Sequence, residues 1–105
     1  MKPPIYGYMR AYRDTSEEEV MKDELQMFRW AQAEKYELAA IYREVDEGSI
    51  AGLTDLVQEL NRTGTRAVVV PSMEHFGAGA LLQEHLWAYV VHTAHADVHE
   101  AVSHQ

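Results

Sequence analysis

Alternating residues of an extended segment project to one side, so Tyr8, Arg10 and Tyr12 place a cation and two phenols on one face near the start of the chain. A phenolate can attack a phosphate while an arginine absorbs the charge that develops. The reaction also needs further cations and a general acid converging on the same place. Nearby in sequence only Arg13 adds a cation, and its odd spacing sends it to the other side. The competing reading is a Tyr12 ring packed over the end of a sheet. A second candidate is Glu74-His75, an adjacent carboxylate and imidazole suited to acid/base work; the alternative is a loop that has drifted. A third is the series His92, His95, His99 and His104. His92 and His95 fall one helical turn apart, but no His-Glu-x-x-His motif, cysteine or acidic triad accompanies them. A polar helix end explains them better than a metal does, and no metal site is expected.

The elements that must position these groups follow from periodicity. Ile5 to Ala11 is apolar and aromatic between Pro4 and a charged loop, which predicts a buried strand. Thr15-Ser16-Glu17-Glu18-Glu19 has capping-box spacing, with acids at the positive end of a helix. Met21, Leu25, Phe28 and Ala31 recur at i, i+4, i+7 and i+10, so a helix is predicted to about Lys35, its apolar side widened by Val20, Met27 and Trp30. Leu38 to Arg43 reads as a second strand, followed by a polar loop from Val45 to Gly52. Leu53, Leu56, Val57 and Leu60 mark a helix that Gly64 ends. Arg66 to Pro71 contains the unbroken Val68-Val69-Val70 run of a central parallel strand. A glycine-rich loop spans Ser72 to Gly79. Leu82, Leu86 and Tyr89 define a third helix, with Leu81, Trp87, Val90 and Val91 beside them, and Asp97 to Val102 reads as a short fourth strand. Trp30, Trp87, Tyr89 and Phe76 are read as core or partial core; an exposed Trp30 or Trp87 would instead mark a protein contact. The order βαβαβαβ predicts right-handed crossovers, a mostly parallel four-stranded sheet and helices on both faces.

Bulk properties narrow the classes. A chain of 105 residues supports one domain, residues 1–105, with a modest core. Hydrophobic residues at 47% and charged residues at 25% describe an ordinary globular protein. The absence of cysteine removes disulfides, thiolate nucleophiles and cysteine zinc sites. No apolar run approaches a membrane span, and Met1-Lys2-Pro3-Pro4 lacks a signal-peptide core, so no membrane association and a cytoplasmic location are expected. Net charge is −8, from 17 acids against 9 bases. With the bases scattered, tight autonomous DNA binding is not expected.

Four stretches in register resemble the catalytic domain of resolvase/invertase serine recombinases, from about Ile5 to Val102. Tyr8 and Arg10 match the family's opening Tyr-x-Arg-Val-Ser. Glu34-Lys35-Tyr36-Glu37-Leu38-Ala39-Ala40-Ile41-Tyr42 is similar to its "GYEL…IY" passage. Asp46-Glu47-Gly48-Ser49-Ile50-Ala51-Gly52-Leu53 is similar to its "DEGxSG…R.GL" loop, and Ala67 to Ala78 is similar to "AVVVxKLDRLGR". The resemblance implies a three-layer α/β fold and a site built for attack of a serine on a DNA phosphodiester within a ring of arginines. This chain departs from that pattern: Tyr12 stands at the serine, Ser49-Ile50-Ala51-Gly52 offers no cation, Glu74-His75 replaces an Asp-Arg pair, and Ala78 replaces an arginine. The family's long dimerisation helix and helix-turn-helix domain have no counterpart before Gln105, so neither is expected.

The expectation is a degenerate site at Arg10, Tyr12, Glu74, His75 and Ala78, without enzymatic activity or cofactor. The domain is expected to work through a protein partner or as a homodimer, in regulation or beside a DNA recombinase. The alternative is a small-ligand or phosphate pocket built from Arg10, Tyr12, Glu74 and His75, or a residual enzyme using the same mouth.

Overall fold

The computed structural model describes residues 2–101. The sequence elements appear in the predicted order: β1 (Pro4–Arg10), α1 (Glu17–Ala33), β2 (Glu37–Glu44), α2 (Ala51–Thr63), β3 (Ala67–Val70), α3 (Ala80–Ala94) and β4 (Asp97–Glu100). The sheet has four strands in the order β2-β1-β3-β4, and every neighbouring pair is parallel. β1 and β3 are therefore central. The all-buried Val68, Val69 and Val70 fit that place, because a central strand covered on both faces tolerates no polar side.

Alternation along β1 divides the core between two layers. Tyr6 and Tyr8 point to the face covered by α2 and α3, with Leu53, Leu56, Leu60, Leu86 and Val90. Ile5, Met9 and Ala11 point to the other face, which α1 covers with Met27 and Ala31. The result is a three-layer α/β sandwich. Local chemistry sets the helix ends. Ser16 caps α1 by accepting from the Glu19 N–H at 3.2 Å, the second of the two capping-box alternatives. Gly64 closes α2 in the left-handed region at φ 73°, its N–H donating to the Leu60 carbonyl.

Several expectations are corrected. Helix α1 stops at Ala33 rather than about Lys35, because Lys35 turns left-handed at φ 64° and the Tyr36 N–H donates back to the Ala31 carbonyl. Met21, Leu25 and Phe28 are exposed although Ala31 on the same stripe is buried; the face packed on the sheet runs through Met27 and Ala31, flanked by Val20 and Trp30. Leu81, Leu82 and Trp87 of α3 are also exposed, so Trp87 is not core. Phe76 is fully buried, and Trp30 is half-buried against Tyr36 and His99. The segment Ser72 to Gly79 is not all loop: Met73–Phe76 forms a 3-10 turn. Strand β4 ends at Glu100, with one further bond from the Ala101 N–H to the Val70 carbonyl; Val102 and His104 lie outside the described residues.

Candidate active-site mouth

The strand order creates a crevice. From β1 the chain crosses to β2 on one side and later to β3 on the other, so the connections after β1 and β3 diverge at the C-terminal ends of two adjacent strands. Open α/β sheets place ligands at such a divergence. Arg10 and Tyr12 follow β1, and Glu74 and His75 lie on the 3-10 turn after β3. With Gly77 and Ala78 they line one cavity of about 300 Å³. The structure thus brings together every site residue read from the sequence: Arg10, Tyr12, Glu74, His75 and Ala78.

The contacts assign roles to these groups. The Arg10 N–H donates to His75 Nδ1 at 2.8 Å, and Arg10 Nε donates to the His75 carbonyl at 3.1 Å. Arg10 Nη2 donates to the Tyr8 hydroxyl at 3.3 Å. Burial opposes the Arg10 charge, but the phenols of Tyr12 and Tyr8 favour it more, so its pKa stands above the usual arginine value. His75 behaves differently. Burial lowers its pKa, and the attraction of Asp23 and Glu74 does not reverse the shift. The ring is neutral at pH 7, so the 3.7 Å approach of Nε2 to Asp23 Oδ2 is not an ion pair. With Nδ1 accepting from the backbone, the proton resides on Nε2 and faces Asp23. No lone pair remains for proton abstraction in the cavity. The Glu74-His75 acid/base pair considered from sequence is therefore not assembled: the imidazole is a clamp that fixes the 3-10 turn to the end of β1.

Beneath Arg10 lies a group the sequence reading did not single out. Glu44, at the end of β2, is buried, and its carboxylate accepts from the Tyr8 hydroxyl at 3.0 Å, the Gly52 N–H at 2.9 Å and the Leu53 N–H at 3.1 Å. Helix N-termini attract anions, and here α2 is satisfied by an anion from its own chain. Ser49 Oγ accepts from the Ala51 N–H at 3.1 Å, completing the first turn. Burial pushes the Tyr8 phenol far above its ordinary range, so it stays protonated and donates. The signal for Glu44 was faint: a lone acid closing an apolar strand just before a glycine-flanked loop.

Arg43 was also missed. Its Nε and Nη2 donate to the carbonyls of Ala11 and Tyr12 at 2.8 and 3.3 Å, which commits the guanidinium to the backbone rather than to the cavity. Arg13 pairs with Asp46 at 3.0 Å in solvent. Among the described residues Arg10 is the one cation lining the mouth, and Glu74 lines it too. Gly77 closes its far side at φ 150°; a Cβ there would lie 2.6 Å from Leu82 Cγ and Cδ2.

The histidine series does not converge. His92 is exposed on α3, whereas the His99 ring lies 5.0 Å from that of Trp30 at a tilt of 34°, on the opposite face of the sheet. Among the described residues no group of three metal-ligating side chains comes together, and no helix is long and apolar enough to cross a membrane.

With this geometry in hand, the architecture has clear parallels. The C-terminal catalytic domain of ISC1926 TnpA, an IS607-like serine recombinase, matches with a TM-score of 0.75 over 97% of this chain and 69% of that one, at 10% identity. The N-terminal catalytic domain of TP901-1 integrase matches with a TM-score of 0.72 over 93% of this chain and 76% of that one, at 13% identity. No family model and no curated protein matches the sequence. The chain has the fold of the serine recombinase catalytic domain.

Proposed function

We propose that this domain is a non-catalytic relative of the serine recombinase catalytic domain and works through protein contacts, in regulation or in association with DNA recombination. The observation that carries the reading is the composition of the mouth. Tyr12, which the sequence resemblance sets at the nucleophile position, lines it together with Glu74 and Arg10, the one lining cation among the described residues. Phosphoryl transfer needs several convergent positive groups around the developing charge. The α2 terminus is closed by Glu44, and Arg43 is spent on carbonyls. The net charge of −8 further opposes unaided binding to DNA. Exposed Met21, Leu25, Phe28, Leu81 and Trp87 supply the apolar surface that protein contacts require. A protein partner or a second copy fills that role in the cytoplasm, within one domain over residues 1–105.

The test is a nicking and covalent-trapping assay on supercoiled plasmid. The expected result is neither relaxed circles nor a protein–DNA adduct. A phosphotyrosyl link at Tyr12 overturns the reading.

A second reading has its own support: the cavity is large enough for a small anion, and the guanidinium of Arg10 lines it. On this reading the mouth binds a phosphorylated metabolite or nucleotide without reacting. A thermal-shift screen with such compounds tests it: stabilisation that disappears in Arg10→Ala supports a pocket, and stabilisation that survives the substitution counts against one.

A further inference from the structure

We infer that the groove between α1 and β2 receives a basic amphipathic helix from a partner protein. The inference rests on the reading that the domain works through protein contacts, and it names the surface and the chemistry of the partner. Helix α1 carries two apolar stripes. One, through Met27 and Ala31, is buried on the sheet. The other leaves Met21, Leu25 and Phe28 exposed at 67%, 45% and 46%. Their spacing of i, i+4 and i+7 covers about 10 Å of helix. Beside them run Leu38 and Ile41 of β2, an edge strand of the sheet. These five side chains line a single groove of about 550 Å³. Isolated apolar side chains on a surface are ordinary, but a contiguous apolar groove marks a contact site. The spacing of Met21, Leu25 and Phe28 along it suits a helix offering anchors at i, i+4 and i+7, and Met21 supplies an adaptable wall.

The rim selects the charge of the occupant. Glu18, Lys22 and Glu24 border the groove, and Glu17 and Glu19 stand exposed on the same end of α1. Lys22 is the one base among them, and Lys2 stands at the other end by Phe28 and Leu38, so negative charge is concentrated along the Glu17 to Glu24 end of the groove. Phosphate-bearing partners, whether nucleic acid or anionic lipid, are repelled. A second copy brings the same acidic rim and its own net charge of −8. Addition of a strand at β2 is disfavoured as well, because the β1–β2 register shifts between Ile5 and Tyr6, leaving Ala39 unpaired, and such irregularities blunt an edge. A helix with apolar anchors and lysine or arginine flanks satisfies both groove and rim.

The probes are two synthetic helices of about 18 residues with leucines at i, i+4 and i+7, one with lysines at all other positions and one with glutamates. Affinity is measured by titration, and the site is mapped by amide and Met21 methyl shifts in the NMR spectrum of the whole chain. The lysine helix is expected to bind at least about ten-fold tighter than the glutamate helix and to perturb α1 and β2. Leu25→Ser with Phe28→Ser should weaken it by about ten-fold or more; both residues are exposed, so the variant is expected to fold, which its amide spectrum verifies. Glu18→Lys with Glu24→Lys should reduce or reverse the preference. Equal affinity for the two helices overturns the proposal. So does binding that ignores the serine substitutions, which would be charge attraction alone, or shifts mapped to another face. A concentration-dependent dimer that Leu25→Ser dissolves would assign the groove to a second copy and also overturn it. Failure here leaves the plasmid assay untouched, and a plasmid nicked by the wild-type chain sinks the non-catalytic reading without moving the peptide result.

Discussion

Tyr12→Ser supplies the serine that the sequence resemblance sets at this position, and on the proposed non-catalytic reading strand cleavage is expected to stay absent. The reason is what the substitution leaves unchanged. Arg10 is the one guanidinium lining the cavity, and two of its N–H groups already serve the His75 carbonyl and the Tyr8 hydroxyl. On the sequence resemblance, Ala78 and His75, whose ring is neutral, replace family arginines, and the Ser49-Ile50-Ala51-Gly52 segment carries no cation. The donors at the start of α2 are held by Glu44. Losing one transition-state donor costs on the order of 100- to 1,000-fold, so two independent losses amount to roughly 10,000- to 1,000,000-fold. The carboxylate of Glu74 adds repulsion against an entering phosphate. The assay is relaxation of supercoiled plasmid by excess Tyr12→Ser protein, with Tyr12→Phe as control and a denaturing gel to reveal any adduct. Relaxed circles that appear with Tyr12→Ser, form an adduct and vanish when Arg10→Ala is added would refute the reasoning: one arginine would then suffice.

Other consequences concern the framework of the mouth. Glu44→Ala leaves the Tyr8 hydroxyl and two N–H groups of α2 without an acceptor; at about 1–3 kcal/mol for each buried unpaired group, the loss should reach about 3 kcal/mol in urea unfolding. A loss below about 1 kcal/mol would mean that water replaces the carboxylate there. Burial depresses the His75 pKa below 6.5, so protons bind the unfolded chain more readily. Its contribution to stability is therefore complete above pH 6.5 and declines as pH falls from 6.5 toward the folded-state pKa. His75→Asn, which keeps an acceptor without a titrating ring, should remove that slope, so the wild-type minus variant stability difference should rise with pH between 5 and 7; a difference that is flat there would place the titration elsewhere. Gly77→Ala drives a Cβ to 2.6 Å from Leu82 at φ 150° and should cost about 2 kcal/mol or more, read from the urea midpoint, whereas Gly48→Ala meets no atom within 4 Å and should cost about 1 kcal/mol from its φ of 81° alone. Equal effects of the two substitutions would refute the crowding argument.

Much of the architecture was written in local patterns. The valine run of β3 has no stable place except between two covered faces, Ser16 and Glu19 announce the start of α1, and Gly64 announces the end of α2. Alternation of strands and helices implied a parallel sheet, and a parallel sheet collects the residues after β1 and β3 at one end. Arg10, Tyr12, Glu74, His75 and Ala78 were legible as neighbours around one cavity for that reason. What those groups do there was decided by partners far apart in the chain. His75 is a clamp because its ring meets the Arg10 N–H on one side and Asp23 on the other, and Glu44 closes α2 because β2 delivers it beneath that helix. The choice of stripe on α1 is of the same kind. Periodicity favours Met21-Leu25-Phe28-Ala31, with Met27 only at its side, over the stripe Met27-Ala31 that is in fact buried. Docking favours the second because Gly7 of β1 leaves a hollow in the sheet: a Cβ there would lie 3.1 Å from the Met27 sulfur and 3.0 Å from Ile41. Close packing is a property of two surfaces meeting, and a one-dimensional pattern describes only one of them.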